Sequence, residues 1–169
     1  GLSTLLLAKM LGARVIVVDI VEEKLEHARQ HGADATVNAA SVDVATAIRD
    51  ITGGGAQVSI EALGIEATTN ASVECLAILG RHVQVGMPSG SGQMQVNMRA
   101  IYSKQLAFFG TRGMPSWKYP NLLGMIERGD VDIRPILARE ISLSEASSEL
   151  RAMNGPTPPG TAVITDFQH

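Results

Sequence analysis

Apolar segments of helical and strand length alternate along this 169-residue chain, and a glycine follows most of them. That punctuation limits the fold more than any other feature. Residues 2–11 read as a helix that is apolar nearly all round, the pattern of a helix buried against a sheet. Gly12 supplies its stop. Residues 13–18 form a continuous, largely β-branched run, as in a parallel strand covered on both faces, and Asp19 follows it. Residues 22–31 predict a second helix with Leu25 and Ala28 inward and Gly32 at its end. Residues 35–38 predict a short strand. Residues 41–52 predict a helix opened by a Ser41 cap and closed by Gly53-Gly54-Gly55.

The second half repeats the pattern. Residues 57–63 read as a strand ending in Gly64, and residues 67–79 as a helix. Leu79-Gly80 then leads into a strand over 81–85, much as Leu11-Gly12 leads into 13–18. Two helix-Leu-Gly-strand units predict the paired halves of a doubly wound parallel α/β sheet of the Rossmann type. Beyond Gly86 the texture changes, with a Ser/Gly-rich loop over 88–95, a strand over 105–109 and a helix over 117–128 stopped by Gly129. Residues 137–143 predict a strand. A helix opened by Ser144, with Ser147 and Ser148 inside it, precedes a last strand over 161–165. A stiff, turn-rich loop spans 154–160. This tail departs from the parallel rhythm, which predicts a separate domain: residues 1–135 for one and 136–169 for the other.

Composition narrows the function. The length suits one ordinary domain with a substantial core. Hydrophobic residues make up 45% and charged residues 18%, the balance of a soluble globular protein. A net charge of −3 without a basic stripe speaks against a nucleic-acid partner. No apolar run approaches the roughly 20 residues of a membrane span, so no membrane partner is expected. The single cysteine, Cys75, permits no internal disulfide and no cysteine-based zinc site, and fits a reducing cytoplasm. Gly1 stands where a natural start would carry Met, which points to a processed, trimmed or incompletely read sequence.

Several residues carry chemistry. Gly1 opens a helix whose unpaired amides and positive dipole end suit a pyrophosphate; equally, a glycine there lets helix and strand pack closely. Asp19 lies 18 positions further on, near the spacing at which a carboxylate accepts the hydroxyls of an adenosine ribose. It would repel a 2′-phosphate and so favours NAD over NADP. A helix cap is its other reading. Lys24, one turn into the next helix, could reach the same ribose or be solvated. Leu63-Gly64 and Val85-Gly86-Met87-Pro88 end consecutive strands, where open parallel sheets bind their ligands. Glu61, a charge inside a strand, implies a cationic partner in the portion missing upstream or a sheet edge, and not a catalytic role. His27, His31, His82 and His169 show no metal-ligand spacing.

Taken in order, these segments carry a family resemblance. They are Gly1-Leu2-Ser3, Lys9, Leu11-Gly12-Ala13-Arg14-Val15-Ile16-Val17-Val18-Asp19, Lys24, Gly32-Ala33-Asp34, Glu61-Ala62-Leu63-Gly64 and Gly80-Arg81-His82-Val83-Gln84-Val85-Gly86-Met87-Pro88. The chain resembles the zinc-dependent alcohol dehydrogenases among the medium-chain dehydrogenases, and Gly110-Thr111-Arg112-Gly113-Met114-Pro115 with Tyr119-Pro120 resembles one branch of them. The resemblance implies hydride transfer between NAD and an alcohol, aldehyde or ketone in a homo-oligomeric enzyme. It carries cofactor contact to Gly1, Asp19, Lys24, Ala62, Leu63, Gly64, Val85, Gly86, Met87, Phe109 and Gly110. It implies zinc in a catalytic domain whose ligands are not among these residues, and it assigns no catalytic residue here.

By the same resemblance the first strand of the sheet, with its earlier glycines, lies upstream of Gly1. Without it the strands ending at Asp19 and before Gly64 lose their shared neighbour. Each backbone group left buried and unpaired costs about 1–3 kcal/mol. The two strands are therefore expected to pair directly, to recruit another strand, or to fold poorly. Alternatives with related sequence logic are a zinc-independent quinone reductase, an S-adenosylmethionine-dependent methyltransferase and a non-catalytic nucleotide-binding module.

Overall fold

The computed structural model describes residues 1–88, 90, 92–153, 155 and 159–168. In chain order its elements are α1 (Leu2–Met10), β1 (Ile16–Asp19), α2 (Glu22–Gln30), β2 (Ala35–Asn38) and α3 (Val44–Thr52). Then come β3 (Ala56–Glu61), α4 (Glu66–Glu74), β4 (Leu76–Gln84), α5 (Met98–Ser103) and β5 (Ala107–Gly110). The chain closes with α6 (Tyr119–Glu127), β6 (Leu137–Ser142), α7 (Ala146–Ala152) and β7 (Thr161–Asp166). The strands form three sheets, β1-β2, β3-β4-β5 and β6-β7. Direct pairing of β1 with β3 is thus not the outcome among the described residues. The α/β class with parallel pairing is as the sequence predicts.

The chain divides into two compact units, one of residues Gly1–Thr36 with Trp117–His169 and one of Val37–Ser116. In the first, Leu5, Leu25, Ala28 and Val131 are buried. Leu25 and Ala28 lie three apart on α2 and take the inward positions expected of them. Gly12 adopts a φ of +76° just past the end of α1, the left-handed stop that glycine accommodates best. β1 begins later than the sequence suggests. The Ala13 amide closes α1 by donating to the Ala8 carbonyl, and the Val15 amide donates to the Asp34 carboxylate. Asp34 is itself held by Lys9 at 2.8 Å. Val18 remains exposed, so β1 is not covered on both faces; such cover needs a packed layer on each side. Of α1, only Leu5 is fully buried, which corrects the expectation of a helix sunk against a sheet.

The tail is a further correction. β6 and β7 pair in parallel, joined through α7, so the βα rhythm continues to the end of the described chain. Ser144 does not open the helix. Ser142 and Glu145 form a reciprocal capping box around the turn that leads into α7.

In the second unit, Val37, Ala45, Ile48, Val73, Cys75 and Leu76 form the apolar core. Asp43, not Ser41, caps α3 by accepting the Thr46 amide at 2.8 Å. Ser41 instead closes a turn onto the Asn38 carbonyl. α4 ends at Glu74, and the expected helix over 67–79 gives way to strand from Leu76. The Lys104 ammonium holds this break, donating to the Glu74 and Leu76 carbonyls at 2.8 Å each. A short apolar run such as 76–79 fits helix and strand alike by periodicity. The ladder to β3 skips from Leu76 to Arg81, and Leu79 adopts a φ of +61° inside the irregularity. α5, opened by Asn97, was not expected at all. Gln105, with a φ of +54°, precedes β5 instead of starting it. The loops expected over 88–95 and 154–160 contain residues 89, 91, 154 and 156–158, which with His169 lie outside the described residues.

Candidate cofactor-binding site

Three parallel strands of the second unit finish level with one another. Pairing sets Glu61 opposite Gln84 and Gln84 opposite Gly110, and the Thr111 amide donates to the Gln84 carbonyl at 3.0 Å. Ala62-Leu63-Gly64 and Val85-Gly86-Met87 therefore leave the same carboxyl edge on which β5 ends with Phe109-Gly110. Ala62, Leu63, Val85, Met87, Phe109 and Gly110 are exposed there, while Gly64 and Gly86 are buried.

The two buried glycines touch through their backbones. A Cβ on Gly64 would lie 2.0 Å from the Met87 carbonyl oxygen, and one on Gly86 would lie 2.2 Å from the Gly64 nitrogen. Gly64 also has a φ of +87°. Neither position has room for a side chain, and the contact brings the two turns together as one surface.

Glu61 stands behind that contact as the last residue of β3, 4% exposed. Its Oε1 accepts the Leu63 amide at 2.8 Å and the Gly64 amide at 2.9 Å, with the Thr68 hydroxyl at 2.7 Å. Its Oε2 accepts from the Gln84 side-chain amide. Its main-chain carbonyl takes the Val85 and Gly86 amides at 2.8 and 3.0 Å. Burial pushes the carboxyl pKa up. The donors from Thr68, Gly64, Leu63 and Gln84 outweigh that and hold it below the ordinary carboxylate value. Of the two expectations for Glu61 the sheet edge is met, since β3 is an outer strand of the β3-β4-β5 sheet, and the carboxylate's partners among the described residues are amides and a hydroxyl.

The same face carries His82, fully buried and stacked at a tilt on Phe108 with ring centroids 4.4 Å apart. The Gln84 nitrogen faces two acceptors, Glu61 and the Gly86 carbonyl, so its oxygen faces His82 Nε2 at 3.1 Å. Nε2 therefore carries the proton, and Nδ1 accepts from Ser59 or Ser72, each at 3.2 Å. Burial pushes the imidazole pKa below its ordinary 6.5, against smaller opposing effects of Gln84 and Glu61. Below pH 6.5 the unfolded chain takes up a proton that the folded chain refuses. His82 thus favours folding above 6.5, and this contribution is lost as pH falls through the window beneath it. Thermal melts at about pH 7.5 and 5.5 are expected to show a lower Tm at the acidic value, with a smaller drop in His82→Gln; equal drops would refute the assignment.

Sequence reasoning missed this network, although its signal was present. Ser59 and Glu61 on β3, and His82 and Gln84 on β4, alternate at the strand period of two. The parallel register then sets Ser59 beside His82 and Glu61 beside Gln84. Cys75 offers no rival chemistry, because burial pushes its thiol up to about 11 and keeps it protonated.

In the first unit, Gly1 precedes α1, and its carbonyl accepts the Leu5 amide at 3.0 Å. A Cβ on it would meet nothing within 4 Å among the described residues. Asp19 is the last residue of β1. Its carboxylate accepts the Val21 amide at 3.0 Å, which uses one of about four acceptor positions and closes the turn into α2. Lys24 is half-buried in the first turn of α2.

Residues 1–128 match the family of zinc-binding dehydrogenases. The erythritol/L-threitol dehydrogenase of Mycolicibacterium smegmatis is 35% identical over 134 residues, covering 78% of this chain and 36% of that protein. The NAD-dependent alcohol dehydrogenase of Sulfurisphaera tokodaii is 31% identical over 140 residues, covering 82% of this chain and 39% of that protein. Among solved structures, benzyl alcohol dehydrogenase from Acinetobacter calcoaceticus superposes with a TM-score of 0.84 at 29% identity, over 98% of this chain and 47% of that one. The chain thus spans less than half the length of each of these proteins. With a match over residues 1–128 and two relatives above 30% identity, the chain belongs to the zinc-binding dehydrogenase family.

Proposed function

We propose that this chain supplies the NAD-binding part of a dehydrogenase that moves hydride between a small alcohol and its aldehyde or ketone. The observation that carries this reading is the level carboxyl edge of β3-β4-β5, where two buried glycines bring two exposed turns into backbone contact. Parallel sheets of this kind receive their ligands outside that edge. Asp19 supports NAD over NADP, since a carboxylate accepts ribose hydroxyls and repels a 2′-phosphate. The Sulfurisphaera tokodaii relative is named as NAD-dependent, which agrees. Bound NAD would supply the hydride acceptor; Gly1, Asp19 and Lys24 would hold its adenosine side. The Ala62-Leu63-Gly64 turn, the Val85-Gly86-Met87 turn and Phe109-Gly110 would line its nicotinamide side.

Zinc stands differently. Among the described residues no group of three His, Cys, Asp or Glu side chains could hold a metal ion, so no step is assigned to one here. In this reading residues 1–135 hold the cofactor, 136–169 contribute to a catalytic part, and the whole enzyme is a cytoplasmic homo-oligomer. Among the described residues no helix is long and apolar enough to cross a membrane.

Titration of the purified chain with NADH, NADPH and S-adenosylmethionine tests the proposal. NADH is expected to bind at least about tenfold more tightly than NADPH, a difference of about 1.4 kcal/mol. The chain alone is expected to oxidise no alcohol. Preference for S-adenosylmethionine would point to a methyltransferase, and preference for NADPH to a quinone reductase. Zinc-dependent oxidation of a simple alcohol by the chain alone would contradict the expected inactivity.

A further inference from the structure

We propose that Glu61 is a positioning residue for the nicotinamide end of the cofactor, clasping the turns 62–64 and 85–87 into one rigid wall. This assignment rests on the NAD-binding reading above. The donors all run toward one carboxylate: Leu63 and Gly64 amides, the Thr68 hydroxyl and the Gln84 amide. Two groups that can only accept, the Glu61 carboxylate and the Gly86 carbonyl, fix the Gln84 nitrogen on this side and leave its oxygen to His82 Nε2. Gln84 also donates to the Gly86 carbonyl at 2.9 Å, which ties the second turn to the same group.

Both carboxylate oxygens accept, and no neutral isostere can do the same. A glutamine at this position must present an N–H toward either the Leu63 and Gly64 amides or the Gln84 amide. One side of the clasp then opens. The Val85 and Gly86 amides tie the second turn to the Glu61 main-chain carbonyl, and the carboxylate adds the bonds that bring the first turn to the same residue. A wall made of main chain is also insensitive to rotamer changes, which suits a surface that must meet a flat ring at one distance. In a dinucleotide fold the second parallel half faces the nicotinamide side, so the clasp acts on that end and not on the adenosine end.

The test uses the full chain, as wild type and as Glu61→Gln, with Thr68→Val as a milder variant that removes one donor and leaves the carboxylate in place. Amide hydrogen exchange reads the turn itself; titration with NADH and with ADP-ribose, which lacks the nicotinamide, reads its use. In Glu61→Gln, the Leu63 and Gly64 amides are expected to exchange at least about tenfold faster. NADH is expected to weaken about tenfold while ADP-ribose stays within about twofold. Thr68→Val is expected to move both readings in the same direction by less. Equal weakening of NADH and ADP-ribose would overturn the assignment, because a general loss of structure does not distinguish the two ligands. Unchanged exchange at 63 and 64, or unchanged NADH affinity, would overturn it as well. A wild-type chain that binds neither ligand would instead overturn the NAD-binding reading, and this assignment with it.

Discussion

Gly64→Ala is expected to lower the stability of the chain by about 2–4 kcal/mol and its Tm by roughly 5–15 °C. Two costs combine at this position. The backbone sits at φ +87°, where an L-residue is strained by about 1–3 kcal/mol. The added Cβ would also meet the Met87 carbonyl oxygen at 2.0 Å, a main-chain atom that cannot rotate aside. Gly53 separates these costs. It has a φ of +73° but nothing within 4 Å of a built Cβ, so Gly53→Ala should pay for strain alone, about 1 kcal/mol. Circular dichroism melts of the two variants make the comparison. Similar Tm values for both would show that the turns around Gly64 and Gly86 are not in rigid contact.

Asp19→Asn is expected to weaken NADH binding by about 10- to 100-fold, because hydrogen bonds to a charged acceptor contribute roughly 1.5–3 kcal/mol. NADPH should lose much less, or gain, since the charge that repels its 2′-phosphate is gone. The fold should hardly notice. The Asn side-chain oxygen can still accept the Val21 amide that Asp19 accepts at 3.0 Å. Parallel titrations with both cofactors and a melting curve test all three statements. An unchanged ratio of NADH to NADPH affinity would reduce Asp19 to a residue that only closes the turn into α2.

Local sequence was a good guide wherever one short-range rule dominated. β2 occupies Ala35–Asn38 as expected, and α2 and α6 lie within a few residues of their predicted ends. It misled where two rules competed. Residues 76–79 carry an apolar run that suits helix or strand, and long-range donation from Lys104 to the Glu74 and Leu76 carbonyls settles the choice. Ser41 and Asp43 are both good caps, and only the observed bond to Thr46 separates them. The parallel pairing of β6 with β7 was hidden for a different reason. Its connection through α7 carries little of the apolar periodicity that marks the earlier helices.

The candidate site was legible in its outline. Glycines after strands located the turns at 64 and 86, and the spacing from Gly1 to Asp19 located the end of β1. Its supports were not legible, because Glu61 and Gln84 are 23 positions apart and meet only through strand register.

By itself the sequence determined the α/β class, the family and the positions at which strands end, because glycine, strand-forming runs and an acidic residue act locally and leave local marks. Only the tertiary structure decided that Glu61 has amides and a hydroxyl for partners, that Gly64 and Gly86 touch, and that the tail keeps a parallel pair. Each of those depends on which distant residues the parallel register sets side by side, and a one-residue slip in register would turn every one of these side chains to the opposite face.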